Sequence, residues 1–429
     1  MKPGEPIEAA GPVRPDSLRP YLERIIAETP VLDVHTHLYP SSFRKLSLWG
    51  IDELITYHYL IAELFRSASL KPSDFWNLPK TRQADLIWET LFIRNTPLSE
   101  AARGIVAVLQ AFGLNPNASS LQEARDFFAS RDPEAHLRAT LALAGVSEVV
   151  MTNDVFDEAE ASYWEQLPGP HPLFHAVLRM DPLLNTWEKA RRLLETRGYA
   201  ADSEISAGAI REVRRFIEDG IARLSPIYLA VSLPPDFRFP EDSPRGRLLA
   251  EAVLPVCREH DLPFAMMIGV RKLANPALRD AGDSVGHADI RVVERICLDY
   301  PENRFLVTML SRENQHELCV ASRKFANLMP FGCWWFLNNP SIVSEITNER
   351  IELLGSSFIP QHSDARILEQ VIYKWAHSRQ VIADSLESAY RALMGDGWQL
   401  TGSQISRDVN RMFQDNFRRW TNLLPRPSL

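Results

Sequence analysis

The residues best equipped for chemistry sit in one short run, Asp33-Val34-His35-Thr36-His37. Side chains two apart on a strand share a face, so His35 and His37 can converge on one ion. Imidazole nitrogen suits zinc and other first-row divalent metals. With only 11 His in 429 residues, two incidental histidines at this spacing are the weaker reading. A pair of imidazoles leaves a metal site incomplete, so a third ligand has to come from another strand end. The run Gln361-His362-Ser363-Asp364-Ala365-Arg366 offers Asp364, either as ligand or as a base beside the ion. The competing use of Asp364 is as the N-cap of the helix-like stretch RILEQVIYKWAHS that follows it.

For these residues to meet, the chain must bring distant strand ends together. Eight short apolar runs recur along it, at 31–38, 148–154, 174–181, 227–234, 263–270, 304–311, 326–336 and 357–366. Helix-like stretches lie between most of them, such as 186–199, 208–224 and 290–300. Strand and helix alternating many times means a parallel sheet, and eight repeats predict an α/β chain closed as a (β/α)8 TIM-like barrel. In a closed barrel the eighth strand lies beside the first, which brings Asp364 to His35 and His37. About 110 residues separate the first two runs, far more than a crossover needs. They hold amphipathic helices such as IDELITYHYLIAELFRSA, and read as a helical cap over the C-terminal face of the barrel. The organisation expected is a lead-in at 1–29, a barrel at 30–379 interrupted by a cap at 40–146, and helices at 380–429 packed on its outside.

Composition limits the function classes. Lys plus Arg total 47 against 55 Asp plus Glu, a net charge of −8, which argues against nucleic acid as the main partner. No apolar run approaches the roughly 18 residues needed to span a bilayer. The four Cys (257, 297, 319, 333) include no Cys-x-x-Cys pair, so neither a zinc knuckle nor a redox motif is written here. A cytoplasmic protein acting on a small molecule, with no membrane contact, is the expectation; whether it forms a homo-oligomer is not readable.

With His-x-His on strand one and Asp on strand eight, the chain resembles the amidohydrolase superfamily, and within it the uronate isomerase (glucuronate isomerase) family. The matching segments run from about Pro30 to Trp420: VLDVHTHLYP, His58-Tyr59 and Arg66 in the insertion, WETLFIRNTPL, MTNDVFDE, FHAVLRMDP, IGVRKLANP, FGCWWFLNNP and SDAR. The resemblance implies His35, His37 and Asp364 around a divalent metal, zinc first and manganese, iron or nickel as alternatives. It puts His58 and Tyr59 over that metal with Asp364 as the catalytic set. Arg179 matches the family's Arg-Pro-Asp segment and Arg366 its Thr-Asp-Ser-Arg segment.

These residue types also suit the chemistry directly. A uronate carries one carboxylate and several hydroxyls, and isomerising it moves a proton between adjacent carbons. That asks for an Arg on the carboxylate, groups that transfer protons near neutral pH, and an electrophile at the carbonyl. Arg179, Arg366, Arg271 and Arg66 are the candidate anion binders. Trp335 is the candidate wall of the pocket, because neighbours Trp334 and Trp335 on a strand would face opposite ways. The chain departs from the family pattern at several polar positions. Met267 stands where the family has a strand-five His, and no His lies on strand six. Asn153 and Leu60 replace a family Asp and Lys, and the Arg-His pair after strand eight is replaced near Tyr373-Lys374. Three protein ligands predict an open site. Aldose–ketose isomerisation of a hexuronate is the first reading. The alternative is metal-dependent hydrolysis or decarboxylation of another small carboxylate, and the third is a non-catalytic acid-sugar binder.

Overall fold

The structure is a computed structural model that describes residues 11–164 and 171–425. The first ten residues of the expected lead-in lie outside the described residues. Strands β1 (Val31–Thr36), β2 (Val146–Asp154), β3 (Phe174–Arg179), β4 (Leu229–Leu233) and β5 (Phe264–Ile268) pair in that order, all parallel. Two very short strands, β6 (Val270–Arg271) and β7 (Ser284–Val285), form a separate antiparallel hairpin. Then β8 (Phe305–Met309) pairs with β5, and β9 (Leu328–Pro330) with β8.

That makes a seven-stranded parallel sheet, and an eighth segment closes it without regular strand pairing. Ile359 bridges Phe331 on one side. On the other, the Asp364 N–H donates to His35 O at 3.2 Å and the His37 N–H to Ala365 O at 2.8 Å. The chain is thus a (β/α)8-type barrel whose last position is an extended but irregular segment. Two expectations need correcting here. The run 326–336 is strand only at Leu328–Pro330, and 357–366 is not a strand. Proline explains both, since Pro330 and Pro360 lack the N–H a ladder needs.

Alternation along the strands sorts two buried layers. Leu32, Val34, Val150, Val177, Ala230, Ala265 and Leu306 fill the barrel interior. Val31, Val149, Leu178, Leu229, Phe264, Phe305 and Val307 face the surrounding helices. Both faces are buried, which is why these strands read as continuous apolar runs.

Between β1 and β2 run nine helical segments, from Ser41–Leu46 to Pro133–Ala144. They include His58–Ser67, Pro72–Trp76 and Glu100–Ala111. The 26-residue helix Gln370–Gly395 carries this cap: the Tyr373 ring lies where a Cβ at Gly104 would come within 2.7 Å of it, so only glycine allows the approach. This helix runs unbroken through residue 380. Among the described residues no helix is long and apolar enough to cross a membrane.

Glu148 ties the C-terminal segment to the barrel. It sits 2.6 Å from His175 on β3 and also bonds Arg418. The hydrogen bond from His175 and the Arg418 charge hold its carboxyl down at about 2. A depressed carboxyl stabilises the fold above its unfolded value near 4.5 and loses that contribution as pH falls toward 2. Glu148→Gln is expected to cost about 2 kcal/mol at pH 7, after allowance for partial exposure. Thermal melts of both proteins should show that gap narrowing below pH 4.5 and closing as pH falls toward 2.

Candidate metal centre and pocket

The pairing between β1 and β2 slips between Asp33 and Thr36. Such an irregularity re-aims side chains, and His35 here turns its ring against Phe331 and His362 inside the barrel. His35 and His37 both bring Nε2 to the same oxygen, Asp364 Oδ1, at 3.5 and 3.4 Å. Among the described residues, the ligand atoms of His35, His37 and Asp364 lie within 4.8 Å of one another.

The groups behind this trio fix its chemistry. The Thr152 hydroxyl donates to Thr36 O at 3.1 Å, so it accepts from His37 Nδ1 at 2.9 Å. That leaves the lone pair of His37 on Nε2, facing the centre. Burial also lowers His37 to about 4, so it is neutral at pH 7. Both His35 nitrogens are buried with no hydrogen-bond partner, an unfavourable state that a bound cation would relieve at Nε2. Burial works to raise the Asp364 carboxyl, but the two imidazoles win and hold it well below its ordinary value. Two imidazoles and one carboxylate fit a divalent metal.

Asp364 is held in the left-handed region, φ 53°. Non-glycine residues there persist only when their surroundings over-determine them. Asn338 Nδ2 donates to His362 O at 3.3 Å and Ser363 O at 3.2 Å. The Ser363 N–H donates to Asp33 Oδ1 at 2.9 Å, and the Trp375 indole to Asp33 Oδ2 at 2.8 Å. Burial pushes the Asp33 carboxyl up to about 6, with those donors opposing. So Asp33 is the peg that holds the Asp364 loop.

His362 is buried against His35 with both nitrogens unpartnered. Its ring occupies the space beside Gly332, where an added Cβ would come 1.9 Å from His362 Cδ2, at φ +68°. Gly332→Ala is therefore expected to cost several kcal/mol, through strain and the displaced imidazole. A thermal melt and the bound-metal content should both fall.

The trio opens onto a cleft. His58 and Trp335 line it as expected, and the Trp335 indole donates to His58 Nε2 at 3.1 Å. That bond leaves the His58 proton on Nδ1, and burial lowers the group to about 3, so it is neutral. Arg179 and Arg366 also line the cleft. They differ in commitment. Arg179 is bidentate on Asp181, at 2.8 and 2.9 Å. Arg366 is exposed and has no ion-pair partner among the described residues.

Three expected residues are not on the cleft wall. Tyr59 stands behind His58, 4.4 Å between rings, with Lys374 5.3 Å from its ring on the far side. Arg66 is exposed at the last turn of its helix, eight residues and about 12 Å along from His58. Arg271 is exposed on the hairpin, where its neighbour Lys272 lines the cleft instead and bonds the buried Asp283 at 2.7 Å. Trp334 lines the cleft together with Trp335. Strand alternation does not apply there, because the chain has left β9 and Trp335 opens a 3-10 turn at φ 46°. Sequence reasoning missed Tyr57, Asp280 and Ser232; the alternation of YHY at 57–59 was the one available signal.

Neither a family model nor a curated protein matches the chain. Solved structures do. A uronate isomerase from Bacillus halodurans C-125 is 51% identical, covers 96% of this chain and 97% of its own, and superposes with a TM-score of 0.94. A uronate isomerase from Thermotoga maritima is 14% identical over 94% of this chain and 97% of its own, TM-score 0.76. A glucuronate isomerase from Caulobacter crescentus is 15% identical over 99% and 98%, TM-score 0.73. At such low identity the last two speak to the fold alone.

Proposed function

The chain belongs to the uronate isomerase family, and on that premise we propose that it interconverts a hexuronate aldose and its ketose. The candidate reactions are D-glucuronate to D-fructuronate and D-galacturonate to D-tagaturonate. The observation that carries the reading is one cleft holding an ionised carboxylate between two imidazoles, with an uncommitted guanidinium two residues away. The sugar's carboxylate goes to Arg366, because Arg179 is already neutralised by Asp181.

His35, His37 and Asp364 would hold the metal, zinc first, with manganese, iron or nickel as alternatives. Bound there, a divalent ion supplies Lewis-acid polarisation of the substrate carbonyl and its neighbouring hydroxyl. The protein's own groups do the rest. Asp364, ionised, accepts the C2 proton and leaves an enediolate across C1 and C2. Returning the proton to C1, with the hydroxyl proton of O2 passing to O1, completes the ketose. Neutral His58 donates from Nδ1 to a substrate oxygen, and the Trp335 indole keeps that tautomer in place. Tyr59 and Lys374 pack behind His58 and brace it.

A proton NMR time course with D-glucuronate and D-galacturonate in D2O, with zinc or manganese added, tests the reading. The ketouronate is expected to appear from at least one sugar. No conversion of either, with the protein folded and metal bound, returns the choice to hydrolysis or decarboxylation of another small carboxylate.

A further inference from the structure

The cleft is continuous with a second cavity under the cap. Among the described residues four border both: Tyr57, His58, Asp280 and Arg366. They form a neck between the metal centre and the outer cavity. With the substrate carboxylate on Arg366 and the reacting carbons at the metal, the carbons next to the carboxylate lie in that neck.

Two of its groups have no established work. Tyr57 is the N-cap residue of His58–Ser67, and its ring lies 4.0 Å from that of His58, tilted by 37°. Its hydroxyl has no hydrogen-bond partner among the described residues, and burial together with the Asp364 charge keeps it protonated. Asp280 comes from the hairpin between β6 and β7 and is exposed, and its carboxylate has no ion-pair partner among the described residues. The hairpin is pinned to the cap on either side of it. Trp76 Nε1 donates to Ala277 O at 2.9 Å, and the Arg279 guanidinium lies 4.4 Å over the Trp76 ring. So a donor from the cap and an acceptor from the hairpin both border the neck.

A sugar hydroxyl both accepts and donates, and such a pair satisfies it in one configuration only. We infer that Tyr57 and Asp280 read the hydroxyl at C4, next but one to the carboxylate carbon, and so set the preference between C4-epimeric hexuronates. This rests on the isomerase reading above. Glucuronate and galacturonate differ at C4 alone. A site built to hydrogen-bond a hydroxyl rejects a substrate that lacks or misplaces it, because its own polar groups are then left unpaired.

The test is kcat/KM for D-glucuronate, D-galacturonate and a 4-deoxy-hexuronate with the metal-loaded protein and its Tyr57→Phe and Asp280→Asn variants. The wild type should prefer one epimer and process the 4-deoxy sugar at least about tenfold less well than that epimer. In each variant both gaps should shrink by about tenfold, with metal content unchanged. Equal losses on all three sugars, or ratios unchanged within twofold, overturn the inference. So does a loss that follows Tyr59→Phe and spares Tyr57→Phe. A wild type that converts none of the sugars overturns the isomerase reading itself, a different and separable result.

Discussion

Replacing Asp364 by Asn is expected to lower kcat/KM by about 10^3-fold or more while the protein stays folded. The size follows from two losses at one atom. Oδ1 is the point on which His35 and His37 converge, at 3.5 and 3.4 Å, and an amide brings neither the anionic ligand nor a base to that point. Loss of general-base catalysis alone is worth about 10^2 to 10^4. The fold survives because Asn tolerates the left-handed backbone that Asp364 adopts at φ 53° better than most residues do. The Asn338 and Asp33 bonds that grip the loop use its backbone, not the Asp364 side chain. Three readings separate the outcomes: turnover by ketose formation, bound metal, and a thermal melt. Turnover retained within a few-fold would falsify the assignment of Asp364. Loss of turnover with metal content intact would place Asp364 as base rather than ligand.

What could be read from the sequence followed how local the determining physics is. His35 and His37 were legible because a two-residue spacing on a strand is enough to aim both. Asp364 needed one further step, the closure of a barrel that sets strand eight against strand one, and the count of alternating runs supplied it. Arg366 followed from Asp364. Less was legible where geometry depends on a helix start or a loop. Tyr57 and Tyr59 differ by two residues, but a helix beginning at His58 puts them on different sides, and only Tyr57 reaches the cleft. Asp280 and Lys272 come from a hairpin whose 3-10 turn has no periodic pattern to read. Arg66 came from the resemblance, and it lies two helical turns along from His58. Strand alternation put only one of Trp334 and Trp335 on the cleft, at a point where Pro330 and Gly332 have already ended the strand.

Arg366→Met is expected to cut kcat/KM for a hexuronate by about 10^2-fold, nearly all of it in KM, and to leave bound metal and thermal stability unchanged. Arg366 is the exposed, unpaired cation of the cleft, so its removal breaks no salt bridge among the described residues and leaves no acid stranded. A charge-assisted bidentate contact to a carboxylate is worth about 3 kcal/mol, and that corresponds to about 10^2 in binding at 1.4 kcal/mol per factor of ten. The matched control is Arg179→Met. There the loss exposes Asp181, which is bound at 2.8 and 2.9 Å, and the Asp181 carboxylate also accepts the Ser232 N–H. That variant is therefore expected to lose stability as well as activity. A second control removes the partner instead of the guanidinium. The neutral hexose of the same configuration lacks the C6 carboxylate, so it should be a poor substrate for the wild type, and Arg366→Met should affect it within about twofold. If the variant instead weakens the neutral hexose and the hexuronate alike, Arg366 does not bind the carboxylate. The acid end of the substrate would then lie elsewhere on the cleft wall, toward Arg179 or Lys272.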